Sequence, residues 1–197
     1  MNTITYYKDE PILDSKLGIK TNRLVRISDF LDEKELDILM DILKNDELPW
    51  SETSFNKSYG ISLVDMESNL ESRGLSKDYF LNLSKKFKST VESIFEHPVL
   101  DTYVQAQRWS KGGQADPHSD NSDYKGNVSE FSKLKYVSIL YANSDYSGGE
   151  IYFPDHGLEI KPEKNDLLVF PGGFENIHGV KEVTSGFRYT IMAFWDF

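Results

Sequence analysis

Cysteine is absent from the 197 residues, so disulfides, thiolate metal sites and cysteine nucleophiles drop out together. Positive charge is scarce as well: 22 Lys and Arg stand against 32 Asp and Glu, a formal net charge of −10. That balance argues against nucleic acid as a partner, because phosphate binding is driven by clustered Lys and Arg. No apolar run approaches the length of a membrane span, and the first ten residues lack the apolar stretch of a secretory leader. The expectation is a cytoplasmic protein with no membrane partner. Histidine is rare too, four residues in all, which gives the placement of each one weight.

What is present reads as one domain over residues 1–197, since 39% hydrophobic residues in a chain of this length suffice for one core. There are no repeats and no low-complexity linker. Residues 1–100 read as a helical or irregular support with a lid loop. Asp32 and Glu35 have capping-box spacing, and Leu36, Leu39, Met40 and Leu43 follow as a helix stripe. A second helix is expected after Ser76, with Asp78 in its first turn, Phe80, Leu83, Phe87, Val91 and Ile94 on its apolar face, and Pro98 limiting its end. From Thr102 the pattern changes to short apolar runs between turns. The expected strands are Thr102–Trp109, Leu134–Ala142, Glu150–Phe153, Leu158–Ile160, Asp166–Phe170, Ile177–Val183 and Phe187–Trp195. So many short strands predict a mainly β fold, a sandwich or jelly roll, with two flanking helices. Trp50–Gly74 and Asn121–Lys133 read as long loops of the kind that serve as lids.

The chemistry concentrates in four residues. His118 and Asp120 stand at i and i+2, so an extended segment turns both to one side. His178 follows sixty residues later and Arg188 ten beyond that. Two histidines and a carboxylate are the set that holds non-haem Fe(II) on one face and leaves other positions open. Arg188 supplies a planar fork matched to a carboxylate. Thr190 shares the strand face of Arg188, and Tyr141 and Ser138 are further hydroxyl candidates for the same pocket. His97 and His156 read as structural residues, and Arg108 as a rim residue. Asp120, Asp123 and Asn127 miss the spacing of a calcium loop.

Several runs resemble the prolyl 4-hydroxylase-like family of Fe(II)- and 2-oxoglutarate-dependent dioxygenases. They are Val104 to Trp109, Gly112-Gly113, Pro117-His118-Ser119-Asp120, Leu140-Tyr141, Ser147 to Glu150, Phe153-Pro154, Ile160-Lys161-Pro162, Leu168 to Phe170, His178-Gly179-Val180 and Gly186 to Thr190. The resemblance covers about residues 102–197. It implies a double-stranded β-helix, a cupin-like jelly roll with its iron site in residues 101–197. It also implies that His118, Asp120 and His178 are the iron ligands and that Arg188 binds the distal carboxylate of 2-oxoglutarate. At Trp109 the chain departs from the family, where many members carry a Tyr that contacts 2-oxoglutarate.

The activity implied is hydroxylation of peptidyl or free proline by O2, coupled to decarboxylation of 2-oxoglutarate to succinate, with ascorbate as an accessory reductant. Three alternatives stay open: hydroxylation of another small molecule, AlkB-like nucleic-acid demethylation, and a non-catalytic jelly-roll binding module. The absence of a second Arg on the strand of Arg188 and the acidic balance weigh against the demethylase. Trp50, Phe55 and Tyr59 are candidates for stacking on a substrate ring. The sequence gives no oligomeric state.

Overall fold

A computed structural model describes residues 2–45, 47–62, 65–66, 78–123 and 125–197. Most of the Trp50–Gly74 stretch beyond Ser62, and the expected helix start at Ser76, lie outside the described residues, as does the side chain of Asp78. The elements in chain order are β1 (Ile4–Pro11), β2 (Thr21–Ile27), α1 (Glu33–Leu43), β3 (Ser51–Glu52), β4 (Asn56–Ser62) and α2 (Asp78–Phe95). The second half adds β5 (Leu100–His118), β6 (Tyr136–Tyr141), β7 (Ser147–Gly148), β8 (Ile151–Phe153), β9 (Leu158–Ile160) and β10 (Asp166–Pro171). It closes with β11 (His178–Val180), β12 (Val183–Ser185) and β13 (Arg188–Asp196).

The first third, expected to be helical or irregular, also contributes strands. Strands β1 and β2 pair as an antiparallel ribbon and extend the main sheet beyond β10. Strand β1 is mostly exposed on both faces, so no buried side imposes the alternation by which strands are recognised. Residues 51–62, expected as loop, form the β3–β4 hairpin, which pairs β4 along β5. Both helices form as expected. Asp32 accepts from the Glu35 backbone N–H at 2.8 Å and Glu35 accepts from that of Asp32 at 2.9 Å, so two free backbone donors are satisfied at the start of α1. Among the described residues no helix is long and apolar enough to cross a membrane.

The main sheet runs β1-β2-β10-β6-β13-β5, and β5 carries the order on through β11, β8 and β9. Strand β5 therefore belongs to both halves of the jelly roll. It pairs with β13 through Trp109 and with β11 from Ala115 onward. Gly112-Gly113 form a bend inside this one strand. Gly112 adopts φ +85°, and a Cβ on Gly113 would stand 2.8 Å from the Ser110 carbonyl oxygen, so glycine suits both positions.

Alternation along the central strands divides the core. Leu140, Ala142, Leu167, Val169, Tyr189, Ile191, Ala193 and Trp195 pack toward α1 and α2, where Phe30 stacks on Phe87 at 5.4 Å. Val137, Ile139, Tyr141, Leu168, Phe170 and Phe194 face the interior, against Ile151, Phe153 and Ile160 from β8 and β9. The helices thus hold the main sheet from outside, while its inner face is free to build a site.

Candidate active site

His118 ends β5 and His178 begins β11, and the two are direct partners in the antiparallel ladder. Asp120 lies just past the strand. Its backbone N–H donates to the Gly172 carbonyl oxygen at 2.8 Å, which fixes the loop under the histidines. This docking, rather than strand alternation, turns Asp120 inward. Ligand atoms of His118, Asp120 and His178 all lie within 4.8 Å of one another. The Nε2 of His178 stands 3.9 Å from Oδ2 of Asp120.

The tautomers are set locally. His118 Nδ1 lies 2.8 Å from the Asp116 carbonyl oxygen and His178 Nδ1 lies 3.0 Å from that of Asn176. A carbonyl only accepts, so each Nδ1 carries the proton and each Nε2 presents a lone pair. Burial lowers the His178 pKa to about 4 and, together with the nearby His178, lowers that of His118, so both imidazoles stay neutral. Burial also raises Asp120 to about 6, and its Oδ2 has no hydrogen-bond partner. Two neutral nitrogen donors and a buried carboxylate oxygen without a partner fit a divalent cation of the iron type, which would supply the counter-charge this carboxylate needs.

The second half of the site lies across the same interior face. Arg188 is only 2% exposed, and no carboxylate among the described residues pairs with it. Its Nη2 donates to the Tyr141 hydroxyl at 3.3 Å. Its guanidinium lies 4.9 Å from the Tyr141 ring and 5.5 Å from the Trp109 ring. Nε of Arg188 and Oγ1 of Thr190 are buried without partners. Burial pushes the Tyr141 hydroxyl up to about 12, so it remains a neutral donor. These groups fit an anion, and their planar and hydroxyl donors suit a carboxylate.

Phe55 covers the space between the two halves, stacked on Trp109 at 5.6 Å and tilted over His118 at 5.0 Å. About 30 Å³ remains free among Phe55, Gln107, Trp109, His118, His178, Arg188 and their neighbours. That is a small space, lined on one side by the ring of Phe55.

The structure brings together His118, Asp120, His178, Arg188, Thr190, Tyr141 and Trp109. Ser138 it does not. Its side chain faces the helices, where it accepts from Trp195 Nε1 at 3.0 Å and donates to the Ala193 carbonyl oxygen at 3.2 Å. Three positions separate Ser138 from Tyr141, so strand alternation puts them on opposite faces. The other sequence candidates are also placed. Arg108, expected at the rim, is held against the rings of Trp50, Tyr59 and Phe187 at 5.0, 5.4 and 5.5 Å. Trp50 and Tyr59 are engaged there rather than at the site. Asp123 accepts from the Lys125 and Asn127 backbones and from Asn127 Nδ2, so this loop is closed on itself. His97 bonds Tyr136 and Pro98, and His156 bonds Asn176. Gln107, which lines the same space, was not singled out by its sequence; its position two before Trp109 on one strand was the available signal.

Residues 104–196 match the 2OG-Fe(II) oxygenase superfamily. Over that segment the chain is similar to the 2OG-Fe(II) oxygenases. Prolyl 3-hydroxylase 2 of Gallus gallus is 30% identical over 139 residues, covering 59% of this chain and 20% of the relative. The chain thus spans about a fifth of that curated relative's length. Among solved structures, the viral collagen prolyl hydroxylase of Paramecium bursaria Chlorella virus-1, in complex with 2OG, superposes with a TM-score of 0.63 at 20% identity. That match covers 87% of this chain and 94% of the viral one. HygX of Streptomyces hygroscopicus, with nickel and 2-oxoglutarate bound, gives 0.64 at 14% identity, covering 88% and 82%. These likenesses show the fold, a jelly roll.

Proposed function

We propose that this protein is an oxygenase that hydroxylates proline, peptidyl or free, using Fe(II), 2-oxoglutarate and O2, with ascorbate as accessory reductant. The observation that carries the reading is the convergence of the His118–Asp120–His178 group and the carboxylate-free Arg188 on one interior face. When bound, iron, 2-oxoglutarate and O2 supply the oxidising power: 2-oxoglutarate becomes succinate and CO2, and one oxygen atom enters a substrate C–H bond.

The protein's own part is positional. His118, Asp120 and His178 would hold the metal, and Arg188 lies across the same interior face. Arg188, with Thr190 and Tyr141, anchors the far carboxylate of the co-substrate and so fixes which atoms reach the metal. Trp109 and Phe55 exclude water from this space. An open hollow of about 520 Å³ adjoins the site through Ala115 and Val180, with room for a residue-sized part of the primary substrate. Likeness to both prolyl 3-hydroxylases and a collagen prolyl hydroxylase supports proline as the substrate class. The likeness to HygX, also solved with hygromycin B bound, supports a second reading, a non-peptide small molecule.

The test supplies Fe(II), 2-oxoglutarate, O2 and ascorbate together with proline-rich peptides or free proline. Succinate formed in step with hydroxyproline is the expected result, and NMR of the product assigns the ring carbon. If 2-oxoglutarate binds but no proline substrate gains oxygen, the small-molecule reading replaces it.

A further inference from the structure

Trp109 and Gln107 stand two apart on β5 and both face the interior. Trp109 Nε1 donates to Gln107 Oε1 at 3.2 Å, and both residues are buried. An indole nitrogen can only donate, so this bond decides the orientation of the amide. The oxygen must face Trp109, and the two Nε2 hydrogens must point elsewhere. No acceptor for Nε2 occurs among the described residues, and Gln107 lines the small space beside Arg188, His118 and His178.

The cross-strand register extends this arrangement. Trp109 is opposite Arg188, Gln107 is opposite Thr190, and Thr190 is in turn opposite Tyr141 on β6. Gln107, Thr190 and Tyr141 therefore form one transverse row on the inner face, next to the Trp109–Arg188 pair. Oγ1 of Thr190 and Nε of Arg188 in this group lack partners. Those two buried groups cost free energy unless a ligand meets them, and Gln107 stands in the same row.

We infer that Gln107 is a co-substrate-binding residue whose Nε2 donates to the same carboxylate as Arg188, and that Trp109 is the positioning residue that aims it. This rests on the 2-oxoglutarate reading above. Trp109 has a second effect in the same arrangement, since its ring packs beside the guanidinium that takes the carboxylate. Position 109 thus acts through its neighbour's amide as well as through its own bulk.

The test is anaerobic titration of the Fe(II) protein with 2-oxoglutarate, following the visible charge-transfer band, preceded by a separate metal titration. Gln107→Leu is expected to bind metal as the unmodified protein does and to bind 2-oxoglutarate about ten- to a hundredfold more weakly, as for loss of one hydrogen bond to a charged group. Trp109→Phe keeps a ring but no longer orients the amide, so it should weaken 2-oxoglutarate by a smaller factor. The double variant Gln107→Leu/Trp109→Phe removes the buried indole N–H that the single Leu variant leaves without a partner. If Gln107 serves only to satisfy that N–H, the double variant recovers affinity and the inference is overturned. If it is a donor to the ligand, affinity stays as low as in Gln107→Leu. Equal 2-oxoglutarate binding by Gln107→Leu and the unmodified protein also overturns it. Failure of the unmodified protein to bind 2-oxoglutarate is a different result, and it removes the function reading itself.

Discussion

His118 and His178 are sixty positions apart in the chain yet directly opposed across the β5–β11 ladder, with ring centroids 4.6 Å apart. Neither depends on a flexible loop for its position. Each is the terminal residue of a strand, and each ring is aimed by a backbone carbonyl two residues upstream, Asp116 for one and Asn176 for the other. The two imidazoles are therefore in place without a metal, and binding of the proposed ion would add to stability rather than position them.

Metal should accordingly stabilise the folded chain measurably. At a hundredfold excess over Kd, binding adds about 2.7 kcal/mol, which for a domain of this size raises Tm by about 5–10 °C. Fe(II) under anaerobic conditions, or Mn(II) in air, is expected to give that rise in differential scanning fluorimetry. His178→Ala should abolish it. A full rise in that variant would remove His178 from the ligand set.

Arg188 should separate stability from binding. The protein holds this guanidinium 2% exposed with no carboxylate beside it among the described residues, and the rings of Trp109 and Tyr141, the Tyr141 hydroxyl and the nearby Tyr146 offset part of the lost hydration. Arg188→Met fills much of the same space with a flexible apolar chain. In the absence of 2-oxoglutarate this variant is expected to match or exceed the parent, by up to about 1–4 kcal/mol. Its 2-oxoglutarate affinity should fall about thirtyfold or more. A marked loss of ligand-free stability would mean that the ring contacts outweigh the buried charge.

How far the sequence disclosed this site depends on whether local patterning controls a residue. The capping box of Asp32 and Glu35 is a contact between neighbours in the chain, and its spacing alone reveals it. Arg188 and Thr190 share a face because alternation is strict within β13. The same rule applied to Ser138 and Tyr141 would have parted them. Asp120 reached the right place for a non-local reason, a hydrogen bond to Gly172. Strands β1 and β4 stayed hidden because their outward faces are polar, so neither shows a clean apolar period. Long-range pairing, such as His118 with His178 or Arg108 within its three rings, leaves no local trace at all.

Ser138→Ala tests the correction directly. The hydroxyl satisfies the buried Trp195 Nε1 on the helix side of the sheet. Its removal should cost about 1–3 kcal/mol, the penalty for a buried donor without a partner. Denaturant unfolding should show that loss, while 2-oxoglutarate titration should not change. A selective drop in co-substrate affinity would return Ser138 to the site.

Gly179 gives the sharpest test of how the strands place the metal ligands, because it lies between His178 and Val180 and carries no functional group. A Cβ there would stand 2.7 Å from the Ala115 carbonyl oxygen and 2.6 Å from Cζ of Tyr152. The tyrosine can rotate away, but the carbonyl belongs to β5, three residues before His118, and can move only with its strand. Gly179→Ala is therefore expected to push β11 from β5 and draw His178 out of line with its partners. Metal affinity should drop about ten- to a hundredfold, the range seen when a group that orients a ligand is lost. Tyr152→Ala in the same chain separates the two contacts. If metal binding stays weak in Gly179→Ala/Tyr152→Ala, the strand spacing is what sets His178. If it recovers, the tyrosine ring was the obstacle and β11 has more freedom than its pairing with β5 indicates.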